Sequence, residues 1–595
     1  MKKRNTLLTI LFLFNLLTIS SLLNRYTYAY PININSCTNK YYSNTTYYYN
    51  GNIITMDDNN PFVEGVLTRN GKIIGTGNIF SLFEYLTPYT KFINLNGNTM
   101  LPGFVDAHSH ISTVGQYDSY SADMGITSID EFIKIGQDNF KTWYSNSVNN
   151  GTYENGDWYV GNGYDNTQFP NEKHPTADDL DKISEEVPIC IIHTSGHMAV
   201  VNHKGLEILN YTKDSPMLNQ LKEYIKLDNN GNPTGLIQEN AFFRLYLNPN
   251  ILYDATKTNT KDNVTRLKDA CNTYASYGIT TAQDGSGSTL PSTIKTMNEN
   301  GDTPLIDLIH YDEIKNIPAP SKYSKFQNRY KVGGVKIILD GSPQGKTAWL
   351  KDPYYVIPEG KPADYCGYPS KTDEEVYNTL VSCLKHGYQV LAHTNGSAAI
   401  EQFITQFEKA KNDTGITTDI RPVLIHAQTI TENQLNRCSQ LGINTSFFCD
   451  HVYYWGDYYL SSILGPEKGN KISPIASALR RNINVTMHQD SPIVPPNMLF
   501  SIHNAVNRRT RNGVLLGGEN RISVMDAIKL VTINSAYQSF EENTRGSITK
   551  GKVADFIILD KNPLTVDKST IKDIKVLNTI KNDKVIYSYN SNNNI

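Results

Sequence analysis

Eight short apolar runs, each followed by an amphipathic stretch, fill the middle of this sequence and constrain its fold more than any other feature. They lie at 104–108, 278–284, 306–311, 334–340, 388–394, 423–428, 443–450 and 484–490. A strand-like run followed by a helix-like stretch is a βα unit, and successive units lay their strands parallel. Eight units predict an α/β chain with a (β/α)8 TIM-like barrel, whose working face is built from the loops after the strands. The interval between the first and second runs is far too long for one helix. Residues from about 111 to 275 are therefore read as a large insertion after strand one, placed over that face.

Short apolar runs with turns also mark both ends of the chain. NIITMD, EGVLTRNGKIIGTG and FINLNGNTMLPG follow Gly51, and GSITKGKVADFIILDKNP and KVLNTIKNDKVIYS close the sequence. Asn70-Gly71 between two apolar pairs is a hairpin signal, because both residues tolerate the left-handed backbone of a tight turn. The economical reading is one small β-sandwich domain assembled from 51–101 and 541–595, with the barrel at 102–540 inserted between them.

Ahead of these, Lys2, Lys3 and Arg4 precede an apolar stretch at 7–23, and Thr27-Tyr28-Ala29 offers a small-x-small cleavage site. Residues 1–29 thus read as a signal peptide, with an uncleaved anchor as the alternative, and the Tyr- and Asn-rich 30–50 as a flexible lead-in. The expectation is a secreted protein with no stable membrane span after cleavage. Composition excludes other classes. Of 595 residues, 55 are Lys or Arg and 58 are Asp or Glu, a formal charge of −3 with no basic stripe and no Cys/His finger. That balance argues against a nucleic-acid partner. Hydrophobic residues at 39% exclude a chain too polar to fold. Seven scattered cysteines define no disulfide framework.

Six residues that could carry chemistry stand at the ends of these runs. LPGFVDAHSH carries His108 and His110, which share a side if the run is extended. Lys336 lies within GGVKIILDGS, His393 ends YQVLAHTNG, His426 ends PVLIHAQ and Asp490 ends NVTMHQDSP. Taken singly, H-x-H can be two solvated histidines, and Lys336 can be half of a buried ion pair with Asp340. Together they occupy strands one, one, four, five, six and eight at the face where such barrels place their sites.

These segments, with GHMAVVN, GNPTGLIQEN, YGITTAQD, HTNGSAAI and GSITKGKVADFIILDKNP, resemble the amidohydrolase superfamily across about residues 50–565. The resemblance is to its metal-dependent hydrolase family 3, which includes N-substituted formamide deformylase-like proteins. It implies two divalent metal ions, most often zinc. His108, His110 and Asp490 would bind one, His393 and His426 the other, with Lys336 between them as a carbamate. Carbamylation converts a cationic amine into an anionic oxygen donor. Asp490 would be catalytic as well as a ligand, taking a proton from water and passing it to the leaving nitrogen.

His197, Glu239 and His451 are candidate substrate-binding residues, and His488 is a candidate support for the ligands. His174, His203, His310, His386 and His503 read as surface or packing residues. Ser397 stands where many relatives carry Asp, just beyond His393, which bears on substrate preference. The expected activity is hydrolysis of a non-peptide C–N bond in a small-molecule N-acyl or N-formyl amide. A deaminase or isomerase on the same barrel, or an inactive secreted binding protein, are the alternatives. A homodimer is left open.

Overall fold

The computed structural model of the protein describes residues 44–116, 118–120, 126–154, 156–246, 263–285, 289–317 and 325–590. The expected signal peptide and Cys37 lie outside the described residues. The first five strands are β1 (Thr45–Ile54), β2 (Phe62–Arg69), β3 (Lys72–Thr76), β4 (Lys91–Asn94) and β5 (Thr99–Pro102). The Asn70-Gly71 turn joins β2 to β3, both turn residues having positive φ (51° and 77°), as a two-residue hairpin of this hand requires. Residues 45–50, read from sequence as flexible lead-in, are instead the first half of β1. They pair with β2 on one side and β4 on the other, and Tyr47 and Tyr48 are buried. Threonine and tyrosine suit a covered, pleated surface, so this polar-looking stretch is a central strand.

β6 (Phe104–Val105) opens a second sheet, but the chain leaves it at once for a lobe with a sheet of its own. That lobe contains β7 (Asp118–Ser119), β8 (Tyr159–Tyr164), β9 (Ile189–His193), β10 (Met198–Val201), β11 (Ile225–Leu227) and β12 (Pro233–Gln238). Its long helix Ile129–Asn149 starts at Ser128, whose hydroxyl accepts the Glu131 amide at 3.2 Å and so satisfies one of the free donors of a helix start.

The chain then returns with β13 (Ile279–Gly285), β14 (Asp307–Asp312), β15 (Tyr330–Ile338), β16 (Gln389–Thr394), β17 (Val423–His426), β18 (Asn444–Phe447) and β19 (Val485–Met487). These and β6 form one parallel sheet in the order β6-β13-β14-β15-β16-β17-β18-β19, with helices between successive strands. The sheet curls, and the segments that follow its two margin strands are bonded to each other. Gln489, just after β19, donates to Asp106, just after β6, at 2.9 Å, and the His110 amide donates to the Ser491 carbonyl at 2.8 Å. Strand limits differ from those read in the sequence. The run 104–108 pairs only at Phe104–Val105, and 484–490 only at Val485–Met487, whereas the fourth strand begins early, at Tyr330.

β20 (Phe556–Leu559), β21 (Val576–Lys581) and β22 (Lys584–Ser588) bring the chain back to the first sheet, where Met100 in β5 lies opposite Ile558 in β20. Asp583, in the turn between β21 and β22, accepts hydroxyls from Thr46 (2.9 Å), Tyr48 (2.7 Å) and Thr68 (2.7 Å), tying the two chain ends together. Among the described residues, no helix is long and apolar enough to cross a membrane, and the six cysteines carry free thiols.

A buried charge network fastens this mixed sheet to the parallel one. Lys581 Nζ lies 2.6 Å from both Asp307, the first residue of β14, and Asp555, and Arg545 also pairs with Asp307. Burial opposes ionisation of Asp307, but Lys581 and Arg545 outweigh it and hold the carboxyl at about 2. Removing one member of such a group leaves a buried charge without its partner. Asp307→Asn should lower stability at pH 7 by ~3–5 kcal/mol, measured by urea unfolding. Because the folded value is depressed, this stability is present above the unfolded pKa and is lost as pH falls through the folded one. The gap between wild type and variant should therefore narrow from about pH 4 toward pH 2. A gap that stays constant over that range would rule out the network as its source.

Candidate metal centre

Strand pairing ends before His108, His110 and Asp490, which stand on the residues after β6 and β19, whereas Lys336 lies within β15 and His393 and His426 lie at the paired ends of β16 and β17. His108 and His110 do not share a side by strand periodicity, as the sequence suggested. A laced loop holds them: Ser109 Oγ donates to the Gln283 carbonyl (2.8 Å), and the Gly285 amide donates to the Ser109 carbonyl (2.8 Å). Gly285 also makes room for the ring, since a Cβ there would lie 2.1 Å from His108 Cε1. His426 and Asp490 both adopt left-handed backbone (φ 71° and 58°). Such a conformation costs a non-glycine residue ~1–3 kcal/mol and persists only where its surroundings enforce it.

The six residues form one connected cluster. Asp490 Oδ1 is 3.3 Å from His108 Nε2 and 3.4 Å from His110 Nε2. Lys336 Nζ lies 2.8 Å from His108 Nε2. His426 Nε2 is 3.1 Å from His393 Nδ1, while its Nδ1 is 3.1 Å from His488 Nε2. His488 in turn contacts Ser446 Oγ at 2.8 Å, which fixes the ring that steadies His426. One potential ligand atom from each of His108, His426 and Asp490 falls within a 4.8 Å group. His110 joins that group through Asp490, and His393 through His426.

Burial pushes His108, His393 and His426 well below the usual imidazole value, so they offer neutral lone pairs at neutral pH. Burial also lowers the Lys336 amine to about 8. For Asp490 burial opposes ionisation, yet His426, His110 and His108 outweigh it and hold the carboxyl well below its usual range. Its Oδ1 is nonetheless buried without a hydrogen-bond partner. An ionised oxygen left so is costly unless a cation completes its environment. Neutral imidazoles around one carboxylate are also the nitrogen and oxygen donors that divalent transition metals take. The residues present fit a divalent cation.

A cavity of about 330 Å³ opens over the cluster. The lobe supplies one wall, with Ser195, His197 and, on helix Glu239–Tyr246, Phe242, Phe243 and Tyr246. His197 Nδ1 lies 3.1 Å from Glu239 Oε2, and its ring lies 5.0 Å from that of His393. Burial disfavours charge on His197, but Glu239 outweighs it and raises the imidazole value. Glu239 itself sits behind His197 and does not line the cavity. His451 does, as the first residue of helix His451–Tyr458, with Nδ1 3.1 Å from Tyr459 OH and Nε2 3.5 Å from Gln344 Nε2.

Two expectations need correction. Ser397 does not face the site: it begins helix Ser397–Thr414, accepts the Lys351 amide at 3.0 Å and lines a separate cavity. The carboxylate that organises the segment after His393 is Asp340, which accepts the amides of Asn395 (3.0 Å), Gly396 (2.7 Å) and Trp349 (3.0 Å). His310 is not a packing residue. It is buried between Asp284 and Asp312, at 3.5 Å from each, near the ends of the second and third strands of the curled sheet. His203 and His386 are exposed, and His174 and His503 half-buried.

Sequence reasoning passed over several residues that line the cavity, among them Asn395, Gln344 and Phe243. Asn395 was within reach, two positions after His393, and its Nδ2 donates to the Gly341 carbonyl at 3.0 Å. Gln344 and Phe243 carry no spacing signal. His193, also passed over, contacts Ser195 Oγ at 2.9 Å behind the lobe wall.

The chain is 26% identical over 556 residues to the putative amidohydrolase YtcJ of Bacillus subtilis, covering 91% of this chain and 99% of that one. It is 23% identical over 554 residues to the N-substituted formamide deformylase of Arthrobacter pascens, covering 89% and 96%. Among solved structures it is similar in fold to an uncharacterized metal-dependent hydrolase from Pyrococcus horikoshii, with a TM-score of 0.64 and 23% identity, covering 88% and 99%. The model of the amidohydrolase family matches residues 91–587, most of the sequence, and the chain belongs to that family.

Proposed function

We propose that this protein is a metal-dependent hydrolase of a non-peptide C–N bond in a small N-acyl or N-formyl amide, acting outside the cytoplasm once residues 1–29 are removed. One observation carries the reading: a buried Asp490 carboxylate whose Oδ1 stands among His108, His110 and His426 beneath a cavity. The similarity to a formamide deformylase supports the bond type. The basic and apolar leader supports export.

In this reading the centre would take two divalent ions, zinc by the donor chemistry. His108, His110 and Asp490 would hold one, and His393 and His426 the other. Lys336 would supply a further oxygen donor once its neutral amine adds CO2 and releases a proton. Its depressed value of about 8 favours that neutral amine. Ions held there supply Lewis acidity, lowering the pKa of water and polarising the scissile carbonyl.

The chain's own residues do the rest. Asp490 accepts a proton from the attacking water and delivers it to the nitrogen as the C–N bond breaks. His197, fixed through Nδ1 by Glu239, turns Nε2 toward the substrate and donates to the carbonyl oxygen as negative charge grows there. His451, held by Tyr459, orients the substrate from the opposite wall.

Asp490→Asn should cut kcat on formyl and acetyl amides by roughly 10²–10⁴ while circular dichroism stays that of the wild type. Turnover within tenfold of wild type would refute the assignment. Elemental analysis of protein grown with zinc should find roughly two ions per chain, falling to one or fewer in Lys336→Arg. Gly285→Ala should expel His108 from its place and lower metal affinity by roughly 10- to 100-fold, read by chelator competition.

A further inference from the structure

His310 lies outside the metal cluster, yet it is more deeply buried than an idle histidine needs to be. Its side chain is 3% exposed and stands between two carboxylates, with Nδ1 3.5 Å from Asp284 Oδ2 and Nε2 3.5 Å from Asp312 Oδ2. Burial opposes its charge, but the two acids outweigh it and raise the imidazole to about 9. Asp284 is fully buried, and its other oxygen reaches away from His310. Oδ1 accepts both the Ser112 amide (3.1 Å) and the Ser112 hydroxyl (2.9 Å). The Asp284 and His110 backbones form an antiparallel bridge. Asp284 thus holds Ser112, two residues after His110, on the loop that carries that residue.

Buried polar oxygens need partners. Two donors from Ser112 satisfy Oδ1 of Asp284. His310 faces Oδ2, and Asp312 flanks the other side of the imidazole and keeps it aligned. The contacts run Asp312, His310, Asp284 and Ser112, the last on the loop that carries His110.

We propose that Asp284, His310 and Asp312 form a positioning chain that fixes the His110 loop and so aims the His110 imidazole at Asp490. The idea rests on the reading of His110 as a metal ligand, but the chain does not touch substrate. His310 is therefore a positioning residue, and its loss should loosen one ligand while leaving the cavity intact.

The test is a double-mutant cycle on the metal-loaded, full-length protein, with His310→Gln, Ser112→Ala and both together. His310→Gln should weaken metal binding roughly 10- to 100-fold in chelator competition, and lower kcat roughly tenfold with KM changed less than about threefold. Ser112→Ala removes a link at the loop end without emptying a core site, so it remains informative if His310→Gln folds poorly. It should give a smaller loss of the same kind. The double variant should be no worse than His310→Gln alone, because both act through one chain of contacts. Additive losses, or unchanged metal affinity in a folded His310→Gln, would overturn the proposal.

Amide hydrogen exchange over 106–114, run on metal-stripped wild type and His310→Gln, separates this idea from the metal reading. Faster exchange in the variant supports the positioning chain even if the wild type binds no divalent cation, whereas identical exchange refutes it.

Discussion

Asp490 carries a full negative charge into a place that water barely reaches, and imidazoles and one amine stand around it. A carboxylate transferred there alone would take up a proton rather than stay charged. Much of the surrounding architecture meets that condition. Strands β6 and β19 end early, which frees the following residues to turn inward. Gln489 and Ser491, the neighbours of Asp490, are bonded to the segment that carries His108 and His110. The left-handed backbone of Asp490 and His426 is strain that such cross-links hold in place. The result is a rigid donor set whose remaining electrostatic demand is for a cation.

Stability and chemistry sit at opposite ends of the parallel sheet. At the start of β14, Asp307 joins Lys581, Asp555 and Arg545 in a network that faces the mixed sheet and has no part in the cavity. Toward the end of the same strand, His310 and Asp312 stand beside Asp284, which bonds the His110 loop. A single strand thus carries a structural ion cluster at its first residue and a positioning cluster at its last. Separation of this kind lets the charged groups at one end change without cost to the other.

The cluster of candidate ligands was legible in the sequence because histidine, lysine and aspartate are expensive inside apolar runs. Their recurrence at run ends needs a reason that packing does not supply. Strand limits were less legible. In LPGFVDAHSH the alternation continues past Val105, but Asp106 takes hydrogen bonds from His108 and Gln489, and the pairing stops there. Ser397 was misplaced for a related reason. Four positions after His393 looks close in the sequence, yet Asp340 draws the chain through Asn395 and Gly396 and points the new helix elsewhere. His310 was invisible because its significance lies in Asp284, which belongs to the neighbouring strand. The first half of β1, at 45–50, was hidden by its threonines, tyrosines and asparagine, which mimic a linker until their partners in β2 and β4 are known.

The lobe between β6 and β13 adds a coupling that the sheet alone would lack. Helix Glu239–Tyr246 begins with the carboxylate that fixes His197 and continues with Phe242, Phe243 and Tyr246 along the cavity wall. Phe243 also lies edge-on to the His197 ring, with centroids 5.6 Å apart. A substrate that pushes on the aromatic wall therefore pushes on the residue that meets the reacting carbonyl in the proposed mechanism. The metal donors, by contrast, come from the curled sheet and its short loops, and a change of substrate shape does not move them directly. In the proposed mechanism, substrate shape and the placing of His197 are then linked through one helix of the lobe, while the donor set is held apart from substrate shape.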